Sequence, residues 1–275
     1  WRQFRDKLKR GQVNLIECNM MVKGCLDSAQ MRRFIKRDIM RKAGIQPDII
    51  TYSTLIRELI LEDDIEAARK VVKEDFRRAR LKPDRIVQGY FKIPRDELLS
   101  LRKKKIKNLL LIKGGRGFHA AKSFLSKLIE RDPSNVTITH CNLIMKDLPD
   151  SRAMRDFMDV NMKGAGLYPD KYSYNILIGR LIIERNETEA RRVLDEEMPA
   201  AGVKPYHRTR SLFNKAPGIV NRMLTHVLNR LVEKEDPEFK QGHDYLVSQN
   251  AGKMDVAHFN VMLKSCDNSE EMRKL

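Results

Sequence analysis

Several groups of side chains in this sequence have types and spacings that could carry chemistry. Lys113-Gly114-Gly115-Arg116-Gly117-Phe118 has the glycines and cations of a phosphate-cradling loop. It lacks the GxxxxGKS/T order, and no strand-like run precedes it. The matching stretch ahead of Phe239, Glu235-Asp236-Pro237-Glu238, would repel phosphate. An interhelical turn is the better reading. The histidines include no HExxH pair and no HxE with a downstream CxxC, which leaves zinc hydrolase and deaminase chemistry unsupported. His140 and His258 fall at equivalent places in a repeat described below, which favours a structural role. Asp147, Asp150, Asp156 and Asp159 gather as the carboxylates of a metal nuclease might. Asp150, however, reads as a helix cap, and Asp156 and Asp159 as a solvated helix face. Cysteines 18, 25, 141 and 266 form no CxxC and no disulfide ladder, so they read as buried free thiols in a reducing compartment. No catalytic residue, metal site, cofactor or small-molecule substrate is expected.

The elements that must position any remaining function repeat along the chain. Cys18-Asn19-Met20-Met21-Val22-Lys23, Cys141-Asn142-Leu143-Ile144-Met145-Lys146 and Phe259-Asn260-Val261-Met262-Leu263-Lys264 align, with Ser, Met and Arg recurring in register further on. Each stretch predicts a short helix, a turn and a second helix. Asp27, Asp150 and Asn268 stand at N-cap positions, and Asn268 with Glu271 forms a capping box. The second helices close at Gly44 and Gly166, with Pro47 and Pro169 just beyond. Ser53, Ala68, Val71 and Pro83 match Asn175, Ala190, Val193 and Pro205 without an insertion. Asn186 with Glu189 predicts another capping box.

Between these copies, 85–131 and 207–251 are less regular and read as helix pairs. The first pair runs from Glu97 to Ile112 and from Phe118 to Ile129. The second runs from Ile219 to Val232 and from Phe239 to Val247. Phe118 and Phe239 match, as do Phe124 and Tyr245. Short hairpins bury their apolar faces only by stacking on neighbours, so an all-α solenoid is expected, without a linker-separated second domain. The divisions are 13–84 and 136–206, with two repeats each, the diverged hairpins 85–135 and 207–252, and the start of a further repeat at 253–275. The chain opens at Trp1, without methionine, and reads as a piece of a longer protein.

Units closing in Gly-x-x-Pro-Asp and opening in aromatic–Asn/Ser–x–Leu–Ile resemble pentatricopeptide repeats. Ile49 to Asp84 and Lys171 to Tyr206 carry the resemblance most fully. It implies a right-handed α-solenoid that binds single-stranded RNA, one base per repeat, read by two or three side chains. Carried onto this sequence, the reading residues are Asn19 with Asp48, Ser53 with Asp84, Asn142 with Asp170, and Asn175 with Tyr206. Asn260 lacks its partner within the chain. The family's code implies uracil for the Asn/Asp pairs and a purine, guanine first, for Ser53 with Asp84. Tyr206 departs from the pattern. For each Asn, bonding to local backbone stays open as the competing role, and for each Asp a turn role. The family also wedges an apolar side chain between bases just inside the first helix. Packing is favoured for Ile16, while Ile50 and Tyr172 stay open between the two roles.

The net charge of +17 and pI of about 9.8 call for an anionic partner, nucleic acid first. The charge is unevenly shared. Residues 85–131 hold 13 Lys and Arg against 3 Asp and Glu, whereas 207–251 hold 7 against 5. Arg102, Lys103, Lys104, Lys105, Lys107, Lys113 and Arg116 form the densest cluster. They are assigned to phosphate contact, which does not read sequence. Such a band suits structured RNA, so a subunit of an organellar ribosome touching ribosomal RNA, with other proteins of a ribonucleoprotein as neighbours, is one expectation. The alternative is a scaffold gripping protein partners. Family members point to a mitochondrion, or else a plastid. No membrane span is expected, since Leu109-Leu110-Leu111-Ile112 is the longest apolar run.

Overall fold

A computed structural model of the chain describes residues 2–112, 114–215, 217–233 and 237–265. Every regular element among them is helical. Asparagine or aspartate starts most of the first helices. Its side chain accepts from the backbone N–H three residues on, satisfying a donor that the helix cannot. Asn14 serves α2 (Leu15–Lys23) in this way, Asp27 serves α3 (Ser28–Phe34) and Asp48 serves α4 (Ile49–Leu61). The helix α1 (Arg2–Lys9) precedes them and was not foreseen from the sequence. Asp64 opens α5 (Ile65–Lys70) and Asp84 opens α6 (Arg85–Tyr90), after which α7 (Arg95–Leu110) follows. The later elements are α8 (Gly115–Arg131), α9 (Ile138–Met145), α10 (Ser151–Phe157), α11 (Lys171–Ile183), α12 (Glu187–Arg192), α13 (His207–Arg210), α14 (Pro217–Val232), α15 (Pro237–Gln249) and α16 (Val256–Ser265).

The stretch 85–131 therefore holds three helices, not one pair, and 207–251 does the same. Asp84 caps a short helix that ends before Pro94, because proline disfavours helical backbone in the residue ahead of it. Gly44 and Gly166 end their second helices at φ +64° and +65°, the left-handed turn expected of them. The capping-box pair Asn268 and Glu271 lies outside the described residues.

The second helix of each regular repeat passes into wider, π-helical turns. These occupy Ile35–Lys42 after α3, Val71–Asp75 after α5, Met158–Met162 after α10 and Val193–Glu197 after α12. The positions correspond from module to module, so the widened turn belongs to the repeat itself.

Contacts divide the chain into two compact units, Trp1–Lys105 and Ile106–Leu275, with the division inside α7. In the first, α4 packs against α2, α3, α5 and α6. Its core joins Cys18, Val22, Phe34, Ile39, Leu55, Ile56, Leu59 and Val71. Phe4 meets Phe34 at 5.6 Å and Tyr52 meets Phe76 at 5.7 Å between ring centroids. In the second unit α11 takes the place of α4, packing against α9, α10, α12 and α14. The repeat-matched rings of Phe118 and Phe239 pack edge to face at 5.0 Å. Each unit is thus built from stacked helical hairpins, the all-α solenoid arrangement.

A link that is buried in the first unit and part-buried in the second ties consecutive hairpins. The Ser28 backbone N–H and hydroxyl donate to the two carboxylate oxygens of Glu62 at 3.0 and 2.6 Å. Ser151 donates to Glu184 in the same way at 2.7 and 2.5 Å. A carboxylate at the end of one first helix thereby serves the opening turn of the previous second helix, where helix N–H groups favour negative charge.

Candidate nucleic-acid interface

The predicted asparagines are set one turn inside the first helices, and the caps of the following helices come to meet them. Asn19 donates from Nδ2 to both oxygens of Asp48 at 3.1 and 3.2 Å. Its Oδ1 accepts from the Thr51 hydroxyl at 2.5 Å. Asp48 and Thr51 form a reciprocal capping box at the start of α4. The second unit repeats the arrangement. Asn142 donates to Asp170 at 3.2 Å, and Ser173 donates to Asn142 Oδ1 at 2.8 Å. Asp170 and Ser173 close the same capping box on α11.

Each Asn–Asp clasp therefore joins two repeats and does not fold back on local backbone. The aspartate holds its helix cap and the clasp together, so its turn role and its pairing role coexist. Both asparagines are 9% exposed. With the amide oxygen taken by Thr51 or Ser173, a ligand would find an amide N–H and the outer lone pairs of a half-buried carboxylate.

The other pairs differ. The Ser53 hydroxyl donates to Ile50 O at 3.1 Å, the local-backbone alternative, and Asp84 caps Val87 at 2.8 Å. Asn175 donates to the Tyr206 hydroxyl at 2.7 Å, so this pair is joined although its closing residue departs from the pattern. Asn260 is exposed on α16.

Ile16 is 74% exposed, which overturns the packing expected for it. Ile50 and Tyr172 are 48% and 51% exposed. Ile86, at 62%, occupies the same second helical position on α6 and was missed. Its signal was an isoleucine two residues after an N-cap aspartate, as at Asp48 and Ile50.

The basic cluster needs correction. Arg102 is fully buried and turns inward. Its Nε donates to Leu61 O at 2.9 Å, and its terminal nitrogen pairs with Asp63 at 3.0 Å. These groups belong to the C-terminal end of α4, whose carbonyls have no partner within the helix. Lys105 is nearly buried and pairs with Glu58, with Glu62 at 3.8 Å. Neither cation is placed to meet a phosphate. Lys103 is half-buried, Lys104, Lys107 and Arg116 are exposed, and Lys113 lies outside the described residues. Arg102→Ala is expected to lower unfolding free energy by about 3 kcal/mol, because it strands buried carbonyls. Lys104→Ala should stay within about 0.5 kcal/mol. Urea unfolding of both variants checks the pair, and equal stabilities would contradict the assignment.

The set-aside chemistry resolves into separate local roles. Gly114 takes φ +77° in the turn ahead of α8, and Gly115 to Phe118 already belong to the helix, so only part of the glycine-rich stretch is an interhelical turn. A Cβ on Gly117 would lie 2.3 Å from Leu109 O, so this glycine serves close packing. Asp147 pairs with Arg230, Asp150 caps Ala153 at 2.7 Å, and Asp159 pairs with Lys163 at 2.6 Å. His140 and His258 each accept at Nδ1 from the N-cap backbone N–H, of Thr137 and Asp255, at 3.0 Å. Among the described residues no cluster of three or more His, Cys, Asp or Glu is arranged to hold a metal ion. No described helix is long and apolar enough to cross a membrane. Burial pushes the Cys25 thiol up to about 11 and that of Cys141 up to about 12, and raises Cys18 as well.

Residues 34–88, from the end of α3 into α6, match the pentatricopeptide repeat domain. No curated protein matches the chain.

Proposed function

We propose, from the match of residues 34–88 to the pentatricopeptide repeat domain, that the chain is a non-catalytic RNA-binding protein of an organelle, a mitochondrion first and a plastid second. It takes unpaired RNA on the first-helix edge of each unit. The observation that carries this reading is the Asn–Asp clasp, which recurs in both units beside exposed side chains at the second helical position. Those exposed side chains are Ile16 and Ile50 in the first unit and Tyr172 in the second. The clasp presents polar atoms to a base edge, and Ile16, Ile50 and Tyr172 offer flat or apolar surface to base faces. Lys104, Lys107 and Arg116 supply phosphate contacts that do not depend on sequence. A place in an organellar ribosome, against ribosomal RNA, is the version we favour, because the exposed cations lie in a hairpin that its partner module does not copy in charge.

The test is binding of oligouridine and oligoadenine, single-stranded and duplex, across a potassium chloride series. Single strands should be preferred, and affinity should fall linearly on a log–log plot against salt. Asn19→Ala with Asn142→Ala should remove the preference between the two sequences and leave the salt slope intact. Absence of RNA binding at low salt would overturn the reading in favour of a protein scaffold.

A further inference from the structure

The two modules differ where consecutive second helices meet. In the second unit Arg155 reaches across to the next second helix, pairing with Glu189 at 2.6 Å and with Glu197 at 3.1 Å. Arg192 pairs with Glu197 at 2.7 Å, and Asp159 with Lys163 at 2.6 Å. This unit closes the joint with its own carboxylates.

In the repeat register Arg155 is matched by Arg32, Glu189 by Ala67 and Asp159 by Lys36. The first unit therefore lacks both carboxylates and sets a cation in place of one. Arg32 donates to Ala67 O at 3.3 Å. Asp75, the match of Glu197, pairs with Arg78 close by in sequence at 3.3 Å. Lys36 and Arg41 are exposed and pair with no carboxylate among the described residues.

A groove of about 530 Å³ stands open at this joint. Buried Ile35, Tyr52 and Leu55 line it, with Met40 45% exposed beside them. Asp75 is the one carboxylate in its lining, against Arg32, Lys36, Arg41 and Arg78. None of the residues assigned to base reading lines it.

We propose that this groove docks an acidic, amphipathic segment of a protein partner, whose carboxylates take the places that Glu189 and Asp159 fill in the second unit. The inference does not depend on the RNA reading above. The second unit answers the same arginine with carboxylate, which identifies the group that Arg32 lacks. A guanidinium pairs with a carboxylate in a directed, charge-assisted geometry. The apolar lining selects peptide over nucleic acid: a leucine side chain buries aliphatic surface there, and a sugar–phosphate backbone has none to bury. An apolar centre with a charged rim is the anatomy of a protein interface.

The experiment uses the whole chain and a fluorescent peptide of about four helical turns, with leucine at the i, i+3, i+4 and i+7 positions and glutamate elsewhere. Anisotropy is read in about 0.15 M salt, which screens scattered surface charge. The same peptide with serine for leucine keeps the charge and should bind at least about tenfold more weakly. Ala67→Glu with Lys36→Asp copies the second unit and should weaken the leucine peptide by about tenfold, leaving oligouridine affinity near the parent's. Arg41→Gln, a change on an exposed side chain, should weaken the peptide by about threefold. Equal binding of the two peptides overturns the proposal and leaves a solvated basic face. Peptide affinity unchanged by the double variant or by Arg41→Gln overturns it as well. Loss of oligouridine binding with peptide binding intact would assign the groove to RNA phosphate instead.

Discussion

Replacing Glu184 by alanine is expected to lower unfolding free energy by about 3 kcal/mol, and Glu62→Ala by a similar amount. Each carboxylate is nearly inaccessible, at 1% and 2% exposure, and accepts two hydrogen bonds from one serine. Alanine would leave a buried backbone N–H and a hydroxyl without acceptors, and would open the joint between two hairpins. Glutamine keeps one acceptor oxygen but turns an N–H₂ toward a donor, so Glu184→Gln should recover only part of the loss. Urea midpoints at constant m-value measure the effect.

The same residue gives a signed pH dependence. Burial raises the Glu184 carboxyl above its ordinary value and outweighs the Ser151 hydrogen bonds that lower it. In the fold the group therefore holds its proton more strongly than in the unfolded chain. Its stabilising contribution is fully present below the unfolded value and is lost as pH rises through the folded value. The parent should accordingly gain on Glu184→Gln as pH falls from neutrality through the carboxylate range. A stability difference between the two that is flat from neutral to acid pH would refute the burial of this charge.

Asp48→Ala and Asp170→Ala form the second large effect. Each aspartate caps its own helix and also holds the asparagine of the repeat before it. Loss of a cap costs about 1 kcal/mol, and loss of a charged hydrogen bond costs about 1.5 kcal/mol or more. Both variants should therefore lose about 2–3 kcal/mol. Asp84→Ala, which removes a cap alone, should lose about 1 kcal/mol. The three melting curves order the sites. Equal losses at Asp48 and Asp84 would show that the contact between repeats contributes nothing.

Much of this architecture was legible from local chemistry. Asp27, Asp150 and Asn186 cap helices where their residue types predict it, and each accepts from the backbone three residues on. Gly44 and Gly166 take the left-handed turn that ends a second helix. The pairing of Asn19 with Asp48 and of Asn142 with Asp170 was legible through the family resemblance.

The direction of the basic side chains was not. Composition sums charge over a segment and is blind to helical phase. Arg102, Ile106 and Leu109 recur at the spacing of a buried face, so the helix carries Arg102 inward with them. The short helices α6 and α13 escaped because so few residues give no period to detect. The Ser28–Glu62 and Ser151–Glu184 links were visible in principle as two residue types recurring together in both modules. Neither carried a motif that drew attention to it.

Asn19 and Asn142 each directly follow a sealed sulfur. Cys18 and Cys141 have no accessible surface, and burial keeps both thiols protonated well beyond neutral pH. An alkylating reagent can reach them only while the surrounding helix is transiently open. The rate of their labelling is therefore a clock for the breathing of α2 and α9, placed by the fold one residue from the atoms that would face a base. A strand of RNA seated on Asn142 would slow that clock without ever touching the thiol.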